Sequence, residues 1–232
     1  MSCSYVALIV DTPKSILDEK QTKPHKLIFF CHGGGWVMAN RWSNEPILCR
    51  YALQTNSIVT YVNYRLAPEY VHPTAVNDCY DCLKYLLQHN TEFHFDKNEV
   101  ILMGDSAGGM ICFSIAQMAR DDFHQNLFKK MILIYPAMDN RKVPDGDPTW
   151  DERNLIYENT FGLQYKTGEI MSKWYFPSKE SVDSPLGSPI MCEDFSNFPP
   201  VRIFTCEYDT LKIAAREVAE KLRVDINGES DA

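Results

Sequence analysis

The stretch Val100-Ile-Leu-Met-Gly-Asp-Ser-Ala-Gly108 decides the fold class, because an apolar strand runs directly into a helix through two glycines. The helical pattern continues from Ala107 to about Arg120. A glycine two residues from Ser106 on each side permits the sharp strand-to-helix turn of a nucleophile elbow, which holds the serine hydroxyl at the head of a sheet. The helix that follows points its N-terminal N–H groups at developing negative charge. The alternative is a chance turn with a solvent-facing serine.

Other apolar runs along the chain are typical of strands in a parallel sheet that is covered on both faces. They are Leu27–Cys31, Ser57–Val62, Val100–Met103, Met131–Tyr135 and Val201–Cys206. The helical stretches between them are approximately Glu45–Gln54, Pro73–His89, Ala107–Arg120 and Leu211–Arg223. This alternation predicts an α/β fold with a doubly wound, mostly parallel sheet.

Residues 137–198 interrupt the alternation with many turn-forming residues and scattered aromatic side chains. The aromatic residues are Trp150, Tyr157, Phe161, Tyr165, Trp174, Tyr175 and Phe176. We expect a cap-like insertion that roofs a pocket at the ends of the strands, where α/β sheets bind ligands. The alternative is a long connection that packs on the sheet.

The composition of the 232 residues excludes several classes of protein. Lys and Arg number 23 against 31 Asp and Glu, and a net charge of −8 without a basic cluster disfavours nucleic-acid binding. No apolar segment approaches the roughly 20 residues of a membrane helix, and the first ten residues do not resemble a signal peptide. The eight cysteines predict buried thiols in a reducing compartment, so we expect a cytoplasmic protein. The Cys79-x-x-Cys82 pair is expected to pack inside a helix.

A second glycine-rich segment, His32-Gly-Gly-Gly-Trp36, follows the first predicted strand directly. Three glycines allow the backbone to turn sharply and to present N–H groups to a ligand. With the N–H group of Ala107, they could form an oxyanion hole for a tetrahedral intermediate. A phosphate cradle is the alternative, but the Lys-Ser/Thr of a P-loop is absent. His32 is predicted to form structural hydrogen bonds and not to act as a base.

Together, the two motifs resemble those of the hormone-sensitive-lipase-like α/β-hydrolases, which include arylacetamide deacetylases and many microbial carboxylesterases. The resemblance extends to Tyr64-Arg-Leu-Ala-Pro-Glu69, Ser184-Pro-Leu186 and Glu207-Tyr-Asp-Thr-Leu211, and it runs from about residue 5 to about residue 222. It implies one α/β-hydrolase domain over residues 1–232 and a small-molecule ester or amide substrate. It implies no metal and no organic cofactor, and leaves a homodimer open.

The resemblance also assigns roles to individual residues. Ser106 corresponds to the nucleophile, and Asp209 corresponds to the acid that orients a base histidine. Glycines 34 and 35 and Ala107 would supply oxyanion N–H groups, with Gly33 permitting the turn. His32 and Asp105 would be structural residues beside the site. The sequence departs from the family after Leu211, where Lys212-Ile-Ala-Ala215 replaces the usual acidic residues.

The base histidine is the missing member of this catalytic set. In α/β-hydrolases it follows the acid in the chain, yet all six histidines precede Asp209 and none of the 23 residues after it is a histidine. We therefore expect the carboxyl-terminal end of the fold to be missing, as in a truncated gene model or a splice form. Two functions stay open: a serine carboxylesterase, and a non-catalytic binding protein such as the plant gibberellin receptors of this fold. A formamidase of the same fold fits the motifs less well.

Overall fold

The computed structural model of the protein describes residues 7–10, 24–141 and 165–227. Six strands in these ranges form one sheet: β1 (Ala7–Val10), β2 (His25–Cys31), β3 (Ser57–Val62), β4 (Phe95–Asp105), β5 (Lys130–Ile134) and β6 (Val201–Phe204). The helices are α1 (Arg41–Thr55), α2 (Thr74–Gln88), α3 (Ala107–Phe123), α4 (Tyr165–Tyr175), α5 (Lys179–Val182) and α6 (Lys212–Asn227), with a 3₁₀ turn at Pro189–Met191.

The strand order is β1-β3-β2-β4-β5-β6. β1 runs antiparallel to β3, while every other neighbouring pair runs parallel. The predicted doubly wound, mostly parallel α/β sheet is therefore confirmed. β1 was not predicted, and β6 ends at Phe204 and not at Cys206, because its pairing with β5 ends where Ile134 faces Phe204.

Helices cover both faces of the sheet. Side chains from α2, α3 and α6 form a large buried cluster on one face, centred on strand residues such as Phe29 and Leu102. Leu48 and Ala52 of α1 pack on the opposite face with Val59. The central strands are apolar on both sides for this reason, as expected for a covered parallel sheet.

The carboxyl ends of the parallel strands bring the sequence motifs together. Cys31, the last residue of β2, lies opposite Gly104 of the neighbouring strand β4. The His32–Trp36 loop and Ser106 therefore leave the same edge of the sheet on adjacent strands. β6 lies two strands beyond β4, so Asp209 follows a strand that ends at that edge.

The cysteines form no disulfide within the described ranges. Cys79 and Cys82 are both buried in α2, as predicted for packing residues, and three further cysteines are buried: Cys31, Cys112 and Cys192. The expectation that these thiols are buried is wrong for Cys206, which is exposed after the end of β6. Among the described helices, none is long and apolar enough to cross a membrane.

Candidate active site

The elbow places Ser106 in a conformation that non-glycine residues rarely adopt. Its φ is 52° and its ψ is −120°, directly before the first turn of α3. The Ser106 N–H donates to the carbonyl of Ile134 at 2.9 Å, and the Ser106 carbonyl accepts from the N–H of Ala137 at 3.1 Å. These two bonds fix the turn to the end of β5. Such a backbone conformation costs roughly 1–3 kcal/mol and persists where its surroundings hold it in place.

Both glycines that flank the elbow lie too close to neighbouring backbone to carry a side chain. A Cβ on Gly104 would lie only 2.6 Å from the carbonyl carbon of Gly108, and a Cβ on Gly108 would lie only 2.6 Å from the His32 carbonyl oxygen. These two close approaches are the physical reason for the glycine on each side of Ser106.

The glycine loop needs left-handed backbone at two positions. Gly34 has a φ of 113° and Gly35 a φ of 59°. The Gly34 carbonyl accepts from the N–H groups of Val37 at 3.2 Å and Met38 at 3.0 Å, which closes a tight turn. Gly33 has a different role, because its N–H donates to Oδ1 of Asp105 at 2.8 Å. That bond joins the loop to the residue next to Ser106.

His32 is the first residue of this loop, and its ring packs between two tyrosine rings. Its ring is fully buried and lies between the rings of Tyr61 and Tyr64, with centroid distances of 5.0 Å and 4.1 Å. Burial lowers the pKa of His32 to about 4, so the imidazole is neutral near neutral pH. Nδ1 lies 2.6 Å from the Gly33 carbonyl, to which a neutral ring donates from Nδ1. The Tyr64 hydroxyl donates to the His32 carbonyl at 2.7 Å, consistent with a structural role.

A cavity of about 810 Å³ lies above the elbow and the loop. Gly34, Gly35, Ser106 and Ala107 line its floor. Within the described ranges, the N–H groups of Gly34, Gly35 and Ala107 donate to no protein acceptor. The cavity therefore combines a nucleophilic hydroxyl with N–H donors that could stabilise an oxyanion.

The described part of the predicted insertion packs against the glycine loop. The rings of Trp36 and Tyr175 stack with centroids 4.8 Å apart, and the Tyr175 carbonyl accepts from the His72 N–H at 2.7 Å. Ser172 donates from Oγ to the Asn140 carbonyl at 3.3 Å. Helix α4 thus forms one wall of the cavity. The predicted aromatic residues Trp150, Tyr157 and Phe161 lie outside the described residues.

Charged side chains of the predicted insertion also line the cavity, and no sequence motif identified them. They occur as three ion pairs, each between residues close in sequence. The pairs are Arg141–Asp139 at 2.9 Å, Lys173–Glu169 at 3.0 Å and Lys179–Asp183 at 3.8 Å. The two pairs with i,i+4 spacing could have been recognised as helical ion pairs, but no sequence signal places them at a cavity.

Asp209 lies beside the cavity, because the next two residues, Thr210 and Leu211, belong to its lining. The Leu211 N–H donates to Oδ1 of Asp209 at 2.9 Å. Partial burial raises the pKa of the Asp209 carboxyl, against the opposing effects of that N–H and of Lys212. All six histidines of the chain lie in the described ranges, and none lines the cavity. The role of Asp209 as triad acid stays a prediction.

Comparison with known proteins agrees with this geometry. Residues 28–230 match the family model described as the alpha/beta hydrolase fold. An esterase of Gibberella moniliformis is 29% identical over 82% of this chain and 58% of its own length. An arylesterase of Saccharolobus solfataricus is 26% identical over 84% of this chain and 61% of its own.

A solved structure gives the same result. The hyperthermophilic esterase of the archaeon Pyrobaculum calidifontis superposes with a TM-score of 0.81 at 30% identity, over 89% of this chain and 64% of that one. This chain spans less than two thirds of the length of each of these three proteins. The comparisons confirm the resemblance to hormone-sensitive-lipase-like esterases, and the elbow at Ser106 and the match over residues 28–230 together show that the chain belongs to the α/β-hydrolase fold family.

Proposed function

We propose that the protein is a serine carboxylic-ester hydrolase that acts on small to medium acyl esters or aryl amides. One observation carries the proposal: Ser106 lines the same cavity as the N–H groups of Gly34, Gly35 and Ala107, which are free within the described ranges. The esterase relatives support the same reaction class.

In the proposed reaction, Oγ of Ser106 attacks the substrate carbonyl carbon while a general base takes the hydroxyl proton. The negative oxygen of the tetrahedral intermediate accepts hydrogen bonds from the three N–H groups. The leaving alcohol or amine takes the proton as its bond to carbon breaks, which leaves an acyl group on Ser106. Water then hydrolyses this acyl-enzyme and regenerates the hydroxyl. Asp209 would orient the base and stabilise its charged form.

No histidine among the described residues lines the cavity to act as the base of this set. Without a base, an oxyanion hole and substrate binding still give roughly 10³–10⁴-fold acceleration over water. The proposal therefore predicts measurable turnover even for a chain that lacks the triad histidine, though far below that of a complete enzyme.

The test is reaction of p-nitrophenyl acetate with the wild-type chain and with Ser106→Ala, followed by intact mass. We expect an acetyl group on the wild type and none on Ser106→Ala, because the acyl-enzyme needs the Ser106 hydroxyl. Ser196→Ala is the matched control, because Ser196 is exposed and lies outside the cavity lining. An acetyl label of equal extent on wild type and Ser106→Ala would overturn the assignment of the nucleophile.

A binding protein is the second candidate, and one observation favours it: no histidine lines the cavity. Such a protein would hold an ester or a related small molecule at the same N–H groups without turning it over. Stoichiometric binding of an ester to wild type, with hydrolysis no faster than in buffer, would establish this second function.

We also propose a cytoplasmic location and no nucleic-acid partner. The location is supported by seven free cysteines in the described ranges, as is usual in a reducing compartment. The net charge of −8 argues against phosphate-backbone binding. Cell fractionation with an antibody against the chain tests the location.

A further inference from the structure

Met171 of helix α4 lies directly against the oxyanion loop. A Cβ built on Gly35 would overlap Sδ of Met171 and would lie 3.0 Å from its Cγ and 3.2 Å from its Cβ. Both residues line the cavity that contains Ser106. The thioether therefore occupies the space next to Gly35, whose N–H is one of the free donors.

Two contacts after Met171 hold this part of α4 in place. One turn further along the helix, Tyr175 is fully buried and stacks on Trp36 of the glycine loop. The adjacent residue, Ser172, donates to the Asn140 carbonyl. These contacts fix the backbone of α4 next to the loop that carries the N–H donors, so the Met171 side chain starts from a position beside Gly35.

Other residues that line the cavity are charged. They include the ion pairs Lys179–Asp183 and Lys173–Glu169. The methionine side chain is apolar, so a substrate group beside Gly35 contacts it by dispersion and competes with it for the same space. The space beside Gly35 is therefore bounded by an apolar side chain.

We propose that Met171 is a specificity-determining residue: it limits the width of the substrate group that lies beside Gly35, so that the site selects esters with a compact group there. This inference rests on the proposed function, because it requires a substrate bound through Ser106. It adds a residue outside the sequence motifs and names the feature of the substrate that the residue selects.

The experiment uses boronic acids, which form a tetrahedral adduct with a serine hydroxyl and need no turnover. Boron takes the place of the carbonyl carbon, and the inference requires its single organic group to lie against Met171 beside Gly35. We would measure the Kd of propylboronic acid and of 2-naphthylboronic acid by calorimetry. Wild type is expected to prefer the propyl compound, and Met171→Ala should shift the ratio of the two Kd values towards the naphthyl compound by about tenfold or more.

Two variants control for nonspecific effects. Met171→Leu has a similar volume and should keep the wild-type ratio. Ile170→Ala removes an alkyl side chain from the same helix, but Ile170 is 48% exposed and does not line the cavity, so its ratio should also stay unchanged. If the same shift occurred in Ile170→Ala, the effect would belong to the helix and the inference would be overturned.

Ser106→Ala separates this inference from the proposed function. If boronate binding requires Ser106 but Met171→Ala leaves the ratio unchanged, only the role of Met171 is overturned. If wild type binds neither boronate, or binds both without needing Ser106, the proposed nucleophile is wrong and the inference is overturned with it.

Discussion

Three residues at this site have unusual backbone conformations that the surrounding structure holds in place. Gly34 and Gly35 have left-handed φ angles, and Ser106 has a φ of 52° although it carries a side chain. The glycines are required by geometry alone, since a Cβ on either would meet neighbouring atoms at 3.0 Å or less. Ser106 is different, because any L-residue is strained there. Its side chain must therefore contribute something that a glycine could not, which agrees with a nucleophilic hydroxyl.

The buried imidazole of His72 makes the stability of the fold depend on pH. Its ring contacts those of Tyr175 and Phe176, and burial lowers its pKa to about 4, against the opposing effect of the Leu186 backbone. In the unfolded chain the value returns to about 6.5, so the unfolded state binds a proton at higher pH than the folded state does. The contribution of His72 to stability is therefore lost as the pH falls from about 6.5 towards 4.

We expect His72→Phe to weaken this pH dependence. The phenyl ring keeps the aromatic contacts but cannot bind a proton, so the drop in the free energy of unfolding between pH 7 and pH 5 should shrink by about 1–2 kcal/mol. Urea titrations at the two pH values measure it. The matched control is Gln88→Ala at the exposed end of α2, which removes no titratable group and should leave the drop unchanged. An identical drop in wild type and His72→Phe would contradict the argument.

At the scale of elements, the central strands were predictable because burial on both faces leaves a continuous apolar run. Ser57–Val62 was predicted with the bounds that the structure shows for β3. β1 was not predicted, because four apolar residues at a sheet edge have no length or flanking signal to distinguish them. The place of Met171 could not be predicted either, since it depends on how α4 docks on the glycine loop. No local pattern in the sequence encodes that contact.

The Ser184-Pro-Leu186 motif was part of the family resemblance, and it also has a structural role. It joins this segment to helix α3. Gln117 of α3 donates from Nε2 to the Pro185 carbonyl at 2.9 Å, and Ser114 donates to the Leu186 carbonyl at the same distance. Both donors are buried on the helix that begins at the nucleophile. The motif thus ties the segment after α5 to the nucleophile helix.

Gln117→Ala should therefore destabilise the fold without changing any residue that lines the cavity. The substitution removes the hydrogen bond to the Pro185 carbonyl, worth about 0.5–1.5 kcal/mol, together with the packing of a buried side chain. Chemical denaturation would show the loss, while Gln88→Ala, on the exposed end of α2, should stay close to wild type. If the two variants were equally stable, the docking role of the Ser184–Leu186 segment would be disproved.

At the scale of the whole molecule, the order of the strands in the sheet determines which residues come together at the site. The His32–Trp36 loop, Ser106 and Asp209 follow β2, β4 and β6, from positions spread over most of the chain. The sequence predicted the first two with their roles, because each is a compact motif with its own turn chemistry. Asp209 has no such local signature, and its assignment came from the family pattern alone. Its position beside the cavity through Thr210 and Leu211 is consistent with that assignment.

Asp209→Asn tests whether Asp209 acts in one catalytic site with Ser106 and the oxyanion donors. Asn can still accept the Leu211 N–H bond, so the fold should be unchanged, but it cannot balance the charge of a base. In a complete triad the change lowers kcat by about 10⁴-fold. The p-nitrophenyl acetate assay measures it against Asp96→Asn, at the opposite end of the sheet, while boronate affinity reports the cavity separately. A fall in turnover with intact boronate affinity would place Asp209 in the reaction. Turnover equal to that of Asp96→Asn would mean that Ser106 and the oxyanion donors act without Asp209.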